Sequence, residues 1–463
     1  MTRLRGALAL LALASACAPE AANTSPIDAS ADTALLDRAT ADTQPDIART
    51  DAPQLDAPSL DASRDVTPID TPSLDVTPID APRDVASIDS APIADRPDVT
   101  DVSAVIDAPR DTAITDTATA PPPFTALFSH RADSNAPDTA IEDAVVDLIN
   151  RAMPGSRIRI AMYSFTRSRP ATALINASRR GVDVQLVVDG GSTSTIGTEI
   201  PGLITALGAS RVTVCAAPGT SCNGTGIMHQ KTFLFSALDD GSRNVVMQAS
   251  HNLTTTQLSM HNNAVIVRGD AALFAAYERT FNDMRRDVTN LDYYRIDDGD
   301  LATRVYFFPR QTGDTAASII DNASCDSTSR ILVAMAFFTD ARIAVAQSLA
   351  ARARAGCSVT VVAGDADIPL GSNVASTLTA ARVTLVRYPT RGGSWDLHSK
   401  YIVIDAPYAG STAHRHLVFT GSHNWTGPSL DQNDETLLRV EREEVFNAFV
   451  ADHAHIRASA VRP

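Results

Sequence analysis

The feature that most constrains the fold is an internal duplication. The segments Arg157–Thr166 and Arg330–Thr339 lie about 170 residues apart, and each is an apolar run of the length that a buried strand requires. An alanine-rich helical segment follows each run, and then a second strand that a glycine opens, Gly181–Asp189 in the first copy and Gly356–Ala363 in the second. Because strands alternate with helices in both copies, the sequence predicts two similar α/β halves with helix-covered sheets.

Each half contains a histidine and a lysine separated by one residue. The pairs are His229 with Lys231 and His398 with Lys400, and an apolar strand sequence continues after each pair. Side chains at positions i and i+2 of a strand project from the same face, so each pair can address one phosphate group. A single pair of this kind is common by chance, whereas two pairs at equivalent positions predict one shared active site.

A Ser-His-Asn turn follows the paired residues in each half. Ser250 and Asn252 form the turn in the first half, and Ser422 and Asn424 form it in the second. Their two side chains are also at i and i+2. We therefore expect all four to hydrogen-bond the non-bridging oxygens of the phosphate.

The second half matches a known motif in full. His398, Lys400 and Asp405 have the spacing HxKx4D, and residues 421–424 supply a trailing GSxN. This pattern resembles the HKD motif of the phospholipase D superfamily. The resemblance covers residues 123–463, and it implies two α/β/α sandwich halves packed around one active site.

The first half carries a degenerate copy of the motif. Ser236 stands where the aspartate is expected, and Ala249 replaces the glycine. Asp405 lies seven residues after His398, an odd number, so a regular strand points it away from the phosphate and toward a supporting role within the catalytic set. Two outcomes stay open for the first half-site: it works with Ser236, or it is catalytically inactive.

The resemblance also implies the roles of the site residues. His229 would attack phosphorus, and His398 would act as general acid and then as general base. The motif lysines, serines and asparagines would stabilise the charged transition state, which leaves no role for a metal or cofactor. Asn263 and Glu435 each stand thirteen residues after a motif serine, where family members place a residue that hydrogen-bonds a catalytic histidine.

Four cysteines lie within the two halves, which we place at residues 123–290 and 291–463. They are Cys215, Cys222, Cys325 and Cys357, and three pairings are open. A local bridge from Cys215 to Cys222 is the simplest, and it leaves Cys325 with Cys357. The absence of a CxxC pattern argues against a zinc or redox motif.

The histidines late in the sequence are expected to be solvated. They show no acidic partners at the spacing of a metal site. They are His414, His416, His453 and His455.

Residues 1–17 have the pattern of an export signal. Arg3 and Arg5 precede the apolar run Ala7–Ala14, and small residues lead to Cys17, as in a bacterial lipobox. A cleaved secretory signal with an incidental Cys17 is the alternative. Both predict export, either as a lipid-anchored protein of the outer membrane or periplasm, or as a secreted protein.

Residues 18–122 have the composition of a disordered linker. They contain no aromatic residue, glycine, lysine, histidine or cysteine, and the sequence Asp65–Asp70 recurs at Asp75–Asp80. The segment carries 21 carboxylates and six arginines, a net charge of −15 that equals the charge of the whole chain. Residues 123–463 are therefore nearly neutral, and no basic excess indicates a nucleic-acid partner.

These observations favour an exported phosphodiesterase that hydrolyses a phospholipid through a phosphohistidine. Its partners would be the phospholipid substrate and, through a lipid anchor, the membrane. An exported nuclease of the same superfamily is the first alternative. A non-catalytic phosphate-binding module is the second, although retention of both histidines and both lysines argues against it.

Overall fold

A computed structural model of the chain describes residues 120–130, 136–191, 197–217, 219–365, 368–389 and 396–460. The predicted export signal, Cys17 and the predicted linker up to residue 119 lie outside the described residues. Within the described part of the chain, no helix is both long enough and apolar enough to cross a membrane.

The described strands fall into two sets, which form two sheets. The strands of the first sheet are Phe124–Ser129 (β1), Arg157–Met162 (β2), Asp183–Val188 (β3), Val212–Val214 (β4), Lys231–Ala237 (β5), Arg243–Ala249 (β6) and Asn262–Val267 (β7). The strands of the second sheet are Arg295–Asp298 (β8), Thr303–Phe307 (β9), Arg330–Met335 (β10), Ser358–Asp365 (β11), Thr384–Pro389 (β12), Lys400–Pro407 (β13), His414–Gly421 (β14) and Thr436–Val440 (β15).

Helices connect and cover these strands. They are Ala140–Arg151 (α1), Ser168–Arg179 (α2), Glu199–Leu207 (α3), Ala271–Met284 (α4), Thr315–Asp321 (α5), Ile343–Arg354 (α6), Ser372–Ala380 (α7), Gly427–Asp431 (α8) and Glu443–Ala460 (α9). Local chemistry sets some of the starts: the Asp270 carboxylate accepts the Leu273 amide and caps α4, and Asp314 accepts the Ala316 and Ala317 amides and caps α5.

The two sheets share one order of seven strands, as the duplication predicts, and the second sheet has the additional strand β8 at one edge. The first runs β1-β7-β6-β5-β2-β3-β4, and the second runs β8-β9-β15-β14-β13-β10-β11-β12. In each half two parallel strands joined by a helix, β2-α2-β3 and β10-α6-β11, neighbour an antiparallel strand that begins at the motif lysine. The register is also the same, because Met162 lies opposite Lys231 and Met335 lies opposite Lys400.

Three hydrophobic clusters arrange these elements in layers. One packs α1, α2 and α3 on the outer face of the first sheet. A second packs α5, α6 and α7 on the outer face of the other sheet. The third joins the inner faces of both sheets with α4 and α9, so the halves share a core. This confirms the predicted α/β fold of two helix-covered halves.

Both predicted disulfides are present. Cys215 is bonded to Cys222, and Cys325 is bonded to Cys357. Each bridge closes a loop within one half and thereby restricts the unfolded chain.

The expectation that the late histidines are solvated is wrong for His453. It lies on the face of α9 that packs against β10, where its Nε2 is 3.1 Å from the carbonyl oxygen of Val333. Burial lowers the pKa of His453 to about 4, so the ring is neutral at physiological pH.

Candidate active site

The two histidine–lysine pairs occupy equivalent positions in the two sheets. Each lysine is the first residue of its strand, and each histidine lies just before the strand begins. The ammonium group of Lys231 donates to the carbonyl of His229 at 2.5 Å, and that of Lys400 donates to the carbonyl of His398 at 2.7 Å. The local geometry of one pair therefore repeats in the other.

Backbone hydrogen bonds between the halves hold the two histidines in place. The amide of His229 donates to the carbonyl of Asp434 at 3.0 Å, and the amide of His398 donates to the carbonyl of His261 at 2.9 Å. Each motif histidine is thus held by the segment that precedes a strand of the other half, β15 for His229 and β7 for His398. Neither half could form this site alone.

The side chain of His229 is held by a carboxylate from the second half. Its Nδ1 lies 2.9 Å from both oxygens of Glu435, and both residues are buried. The hydroxyl of Ser422 donates to Glu435 at 2.5 Å, and the amide of Asn433 donates to it at 3.3 Å. Glu435 therefore keeps the proton of His229 on Nδ1 and leaves the Nε2 lone pair available.

The side chain of His398 is held by a neutral amide from the first half. Its Nδ1 lies 2.9 Å from Oδ1 of Asn262. This corrects the sequence prediction, which assigned the contact to Asn263. The Asn263 side chain instead bonds to Thr420 at 2.5 Å and to the backbone amide of Lys400 at 3.3 Å.

A difference of one residue in loop length explains this correction. The backbone amides of Asn263 and Thr436 each donate to their motif serine at 3.0 Å, so these two residues are structurally equivalent. The equivalent of Glu435 is consequently Asn262, which is twelve residues after Ser250.

The motif serines do not line the cavity, contrary to the expectation that they bind phosphate directly. The Ser250 hydroxyl donates to Asn262 at 3.2 Å, as that of Ser422 does to Glu435, and both serines are fully buried. They position the groups that orient the histidines. Asn252 and Asn424 do line the cavity, so their amides remain candidates for contact with phosphate.

Burial of four basic groups together shifts their charge states. Burial lowers the pKa of His229 to about 4, with the Lys231 charge adding to the shift and Glu435 opposing it. Burial likewise lowers the pKa of Lys231 to about 7. For His398 and Lys400, burial and the neighbouring cations move the pKa well below its ordinary value. An anion in the site would relieve this repulsion.

The carboxylate beside these groups stays ionised. Burial opposes its charge, but the contacts with His229 and Lys231 outweigh burial and lower the pKa of Glu435 to about 2. The site therefore carries one fixed negative charge on the side of His229.

A cavity of about 690 Å³ opens onto both histidines. None of the described residues that line it is Lys, Arg, Asp or Glu. Its wall combines polar uncharged residues with a few apolar and aromatic side chains, namely Tyr163, Ile227, Met260, Phe337 and Ile368.

A family model described as the PLD-like domain of cardiolipin synthase matches the chain twice, at residues 145–285 and 318–456. The chain belongs to the phospholipase D superfamily. The two matches coincide with the duplicated halves, and members of this superfamily process phosphodiesters. No curated protein sequence matches the chain.

Several solved structures are similar to this chain at low sequence identity. Phosphatidylserine synthase from Haemophilus influenzae is 11% identical, with a TM-score of 0.51 over 72% of this chain and 86% of that chain. Polyphosphate kinase from Porphyromonas gingivalis is 13% identical, with a TM-score of 0.47 over 73% of this chain and 50% of that chain, so the match spans half of the kinase. Nuc from Salmonella typhimurium, a phospholipase D family member, is 20% identical, with a TM-score of 0.27 over 38% of this chain and 97% of that chain.

The superfamily aspartate faces away from the cavity in the second half. The Asp405 carboxylate is 2.6 Å from Nδ1 of His414 and 3.1 Å from Nε of Arg330, and it contacts neither motif histidine. Asp405 thus points away from the phosphate site as the sequence predicts, but it supports neither motif histidine and does not belong with the catalytic residues; it links β13 to β10 and β14. In the first half the Ser236 hydroxyl accepts the backbone amide of Arg157 at 2.8 Å, which links the equivalent strands with one weaker bond.

Sequence reasoning missed Tyr163, which lies against the first histidine–lysine pair. Its ring is 4.9 Å from the ring of His229 in an edge arrangement, and the ammonium group of Lys231 lies 5.1 Å from its centroid. The available signal was its place one residue after strand β2, at the end of the sheet where the motif lysine begins.

Asp434 adds a second cross-half support that the sequence did not reveal. Its buried carboxylate accepts the backbone amides of Cys222, Asn223 and Gly224, at 2.6 to 3.1 Å. Asp434 thus holds the loop after the first disulfide while its neighbour Glu435 holds His229. Burial raises the pKa of Asp434 to about 6 despite these bonds.

Proposed function

We propose that this phosphodiesterase hydrolyses phospholipids through a covalent phosphohistidine at His229. The observation that carries the proposal is the unequal support of two histidines that face one cavity. His229 has the charged partner Glu435, and His398 has the neutral partner Asn262.

In the first step the Nε2 lone pair of His229 attacks phosphorus. A phosphorus–nitrogen bond forms while the bond from phosphorus to the leaving alcohol breaks. The attacking imidazole gains positive charge, and the ionised Glu435 at 2.9 Å stabilises that charge. A neutral partner such as Asn262 would give less stabilisation, so the geometry favours His229 over His398 as nucleophile.

His398 would supply the proton for the leaving alcohol in the same step. Burial and the charges of Lys400 and Lys231 depress the pKa of His398, so the ring is neutral before the substrate binds. A bound phosphodiester anion offsets those positive charges and raises the pKa of His398. Proton donation is thereby coupled to the binding of the correct anion.

In the second step His398 accepts a proton instead of donating one. The now neutral His398 takes a proton from water, the oxygen attacks phosphorus, and the phosphorus–nitrogen bond to His229 breaks. Asn252 and Asn424 line the cavity and would contact the phosphoryl oxygens in both steps, while the buried ammonium groups of Lys231 and Lys400 behind the lining would stabilise the negative charge electrostatically. Turnover is expected to persist in EDTA, because these cations already offset the developing negative charge.

The cavity wall supports a lipid rather than a nucleic-acid substrate. A polynucleotide carries a charge on every residue, and its binding draws on cations that contact the flanking phosphates. The described lining residues supply none, and Met260, Phe337 and Ile368 present apolar surface to whatever group flanks the reacting phosphate. A diacylglycerol body with one phosphodiester matches that distribution.

The test is a parallel assay of the purified chain in EDTA with phosphatidylcholine vesicles plus ethanol and with plasmid DNA. We expect choline release and phosphatidylethanol, because the covalent intermediate would partition between water and a small alcohol. Rapid plasmid nicking without phosphatidylethanol would move the protein to the nuclease alternative. Inactivity toward both substrates, with tight phosphate binding, would favour the non-catalytic module.

We also propose that the protein is exported and anchored through Cys17. Two disulfides support an oxidising compartment, since such bonds rarely persist in the cytoplasm. Cell fractionation with metabolic palmitate labelling tests this, with Cys17→Ala as the comparison. We expect the wild type to be labelled and to be in the membrane fraction, and the Cys17→Ala variant to be unlabelled and soluble. An unlabelled wild type would contradict the lipid anchor.

A further inference from the structure

Away from the motif histidines, three other histidines converge from distant parts of the chain. His130 follows β1, His261 immediately precedes β7, and His455 belongs to α9. One ring nitrogen from each lies within 4.8 Å of the other two. The ring centroids are 4.2 Å apart for His130 and His455, 5.7 Å for His130 and His261, and 5.9 Å for His261 and His455.

Two of these rings are oriented in the way that metal ligands require. Nε2 of His130 lies 2.8 Å from a carboxylate oxygen of Asp452, and Nε2 of His261 lies 2.8 Å from the hydroxyl of Tyr388. A metal-binding histidine typically donates its other N–H to such a partner, which fixes the tautomer and directs the second nitrogen at the ion. Nδ1 is then the nitrogen that His130 and His261 would offer.

Helix α9 supplies both a ligand and an orienting group. Asp452 precedes His455 by three residues, so the two side chains lie on adjacent positions of one helical face. The buried Asp452 carboxylate is itself fixed, because it also accepts the Tyr401 hydroxyl at 2.8 Å. Hydrogen bonds thus fix the buried side of the cluster. On its other side His455 is exposed and His130 is half-buried, so an ion can enter from solvent.

We propose that His130, His261 and His455 bind a zinc ion. Three imidazoles suit Zn²⁺, and Zn–N bonds of about 2.0–2.1 Å in tetrahedral geometry place ligand nitrogens about 3.4 Å apart. One ring nitrogen of each histidine already lies within 4.8 Å of the other two, and side-chain rotation would bring the ligand nitrogens to that spacing. The fourth position faces solvent and is filled by water.

The position of this site gives the ion a structural role beside the catalytic residues. His261 precedes Asn262, and its carbonyl accepts the backbone amide of His398 at 2.9 Å and the hydroxyl of Ser399 at 3.3 Å. Zinc would therefore fasten the segment that orients His398 to the chain after β1 and to α9. It shares no ligand with the phosphate site, so the ion takes no part in the chemical steps proposed above.

Calorimetric titration of the tag-free chain with ZnCl₂, after EDTA treatment and dialysis, tests the site. We expect one equivalent of zinc and a higher melting temperature, because the ion binds the native state. His130→Gln and His455→Gln should each weaken binding at least about tenfold, and Asp452→Asn about 10- to 100-fold. The matched control is His416→Gln, which removes a partly exposed histidine outside the cluster and should bind zinc like wild type.

Two outcomes would overturn the proposal. One is the absence of zinc binding by the wild-type chain at micromolar metal. The other is equal affinity in wild type, His130→Gln and His455→Gln, which would place the ion elsewhere. Because His455 is exposed, its replacement should leave the fold intact, and circular dichroism together with the tetrahedral Co²⁺ absorption spectrum separates loss of the site from loss of the fold.

Discussion

The two halves of the molecule share a framework and differ at the atom that touches each histidine. Strand order, register and the lysine-to-carbonyl bond repeat, yet His229 receives a carboxylate and His398 receives an amide. Each partner comes from the opposite half. The two histidines therefore differ in one contacting side chain each, while the seven shared strands keep the same order.

The halves also differ behind the site. Asp405 links Arg330 and His414 in the second half, whereas Ser236 accepts only a backbone amide in the equivalent place. In front of the site, Tyr163 packs against His229, and its counterpart in the duplication is Ala336. The first half thus has fewer side-chain contacts at the position of the superfamily aspartate than the second half, and it has an aromatic contact to its motif histidine that the second half lacks at the equivalent position.

The largest expected effect comes from removing either imidazole. His229→Ala and His398→Ala should each lower turnover of a soluble phosphodiester at least about 10⁴-fold, because the covalent step and both proton transfers need these rings. Acid quench separates the roles when the labelled substrate has a leaving group that departs without a proton, such as a p-nitrophenyl ester. Label should stay on His398→Ala and be lost from His229→Ala, and the reverse pattern would exchange the two assignments.

Neutralising Glu435 should remove the electrostatic difference between His229 and His398. Glu435→Gln keeps a hydrogen-bond acceptor for His229 and removes the charge that stabilises its cation, so turnover should fall about 100-fold. Asn262→Ala removes the orienting bond to His398 without removing a charge, together with the Asn262 bonds to Ser250 and to the carbonyls of Gln257 and Met260, and should cost about tenfold, which corresponds to about 1.4 kcal/mol. Steady-state kinetics of the two variants checks the order, and equal losses would mean that charge does not distinguish the halves.

The lysines predict how activity depends on pH. Lys231, with a pKa of about 7, loses its charge as the pH rises through that value, and His229, with a pKa of about 4, loses its lone pair as the pH falls through that value. The ratio kcat/KM should therefore be highest between these limits and about tenfold lower at pH 8 than at its maximum. Lys231→Arg, whose guanidinium stays charged, should extend activity to higher pH. If activity of this variant falls at alkaline pH as it does in wild type, a group other than Lys231 causes the fall.

The sequence predicted the features that depend on residues close together in the chain. Strand periodicity placed His229 with Lys231 and His398 with Lys400 on common faces, and the duplication predicted one fold for both halves. The sequence-based prediction failed where a loop of the first half is one residue shorter than its counterpart. For this reason the partner of His398 is Asn262 and not Asn263. The sequence also could not reveal the cluster of His130 and His455, because only tertiary packing brings such distant positions together.

The smallest expected effect concerns the degenerate position itself. Ser236→Asp restores the superfamily residue at the point where the first half now has a single backbone bond. The equivalent Asp405 contacts Arg330 and His414 rather than a motif histidine, so an added carboxylate should stabilise the strand pair without entering the cavity. Turnover should change by less than about tenfold, or about 1.4 kcal/mol of barrier. Kinetics of the variant beside Ser236→Ala checks this, and a rise from no turnover to robust turnover would show that Ser236 had disabled the natural first half-site.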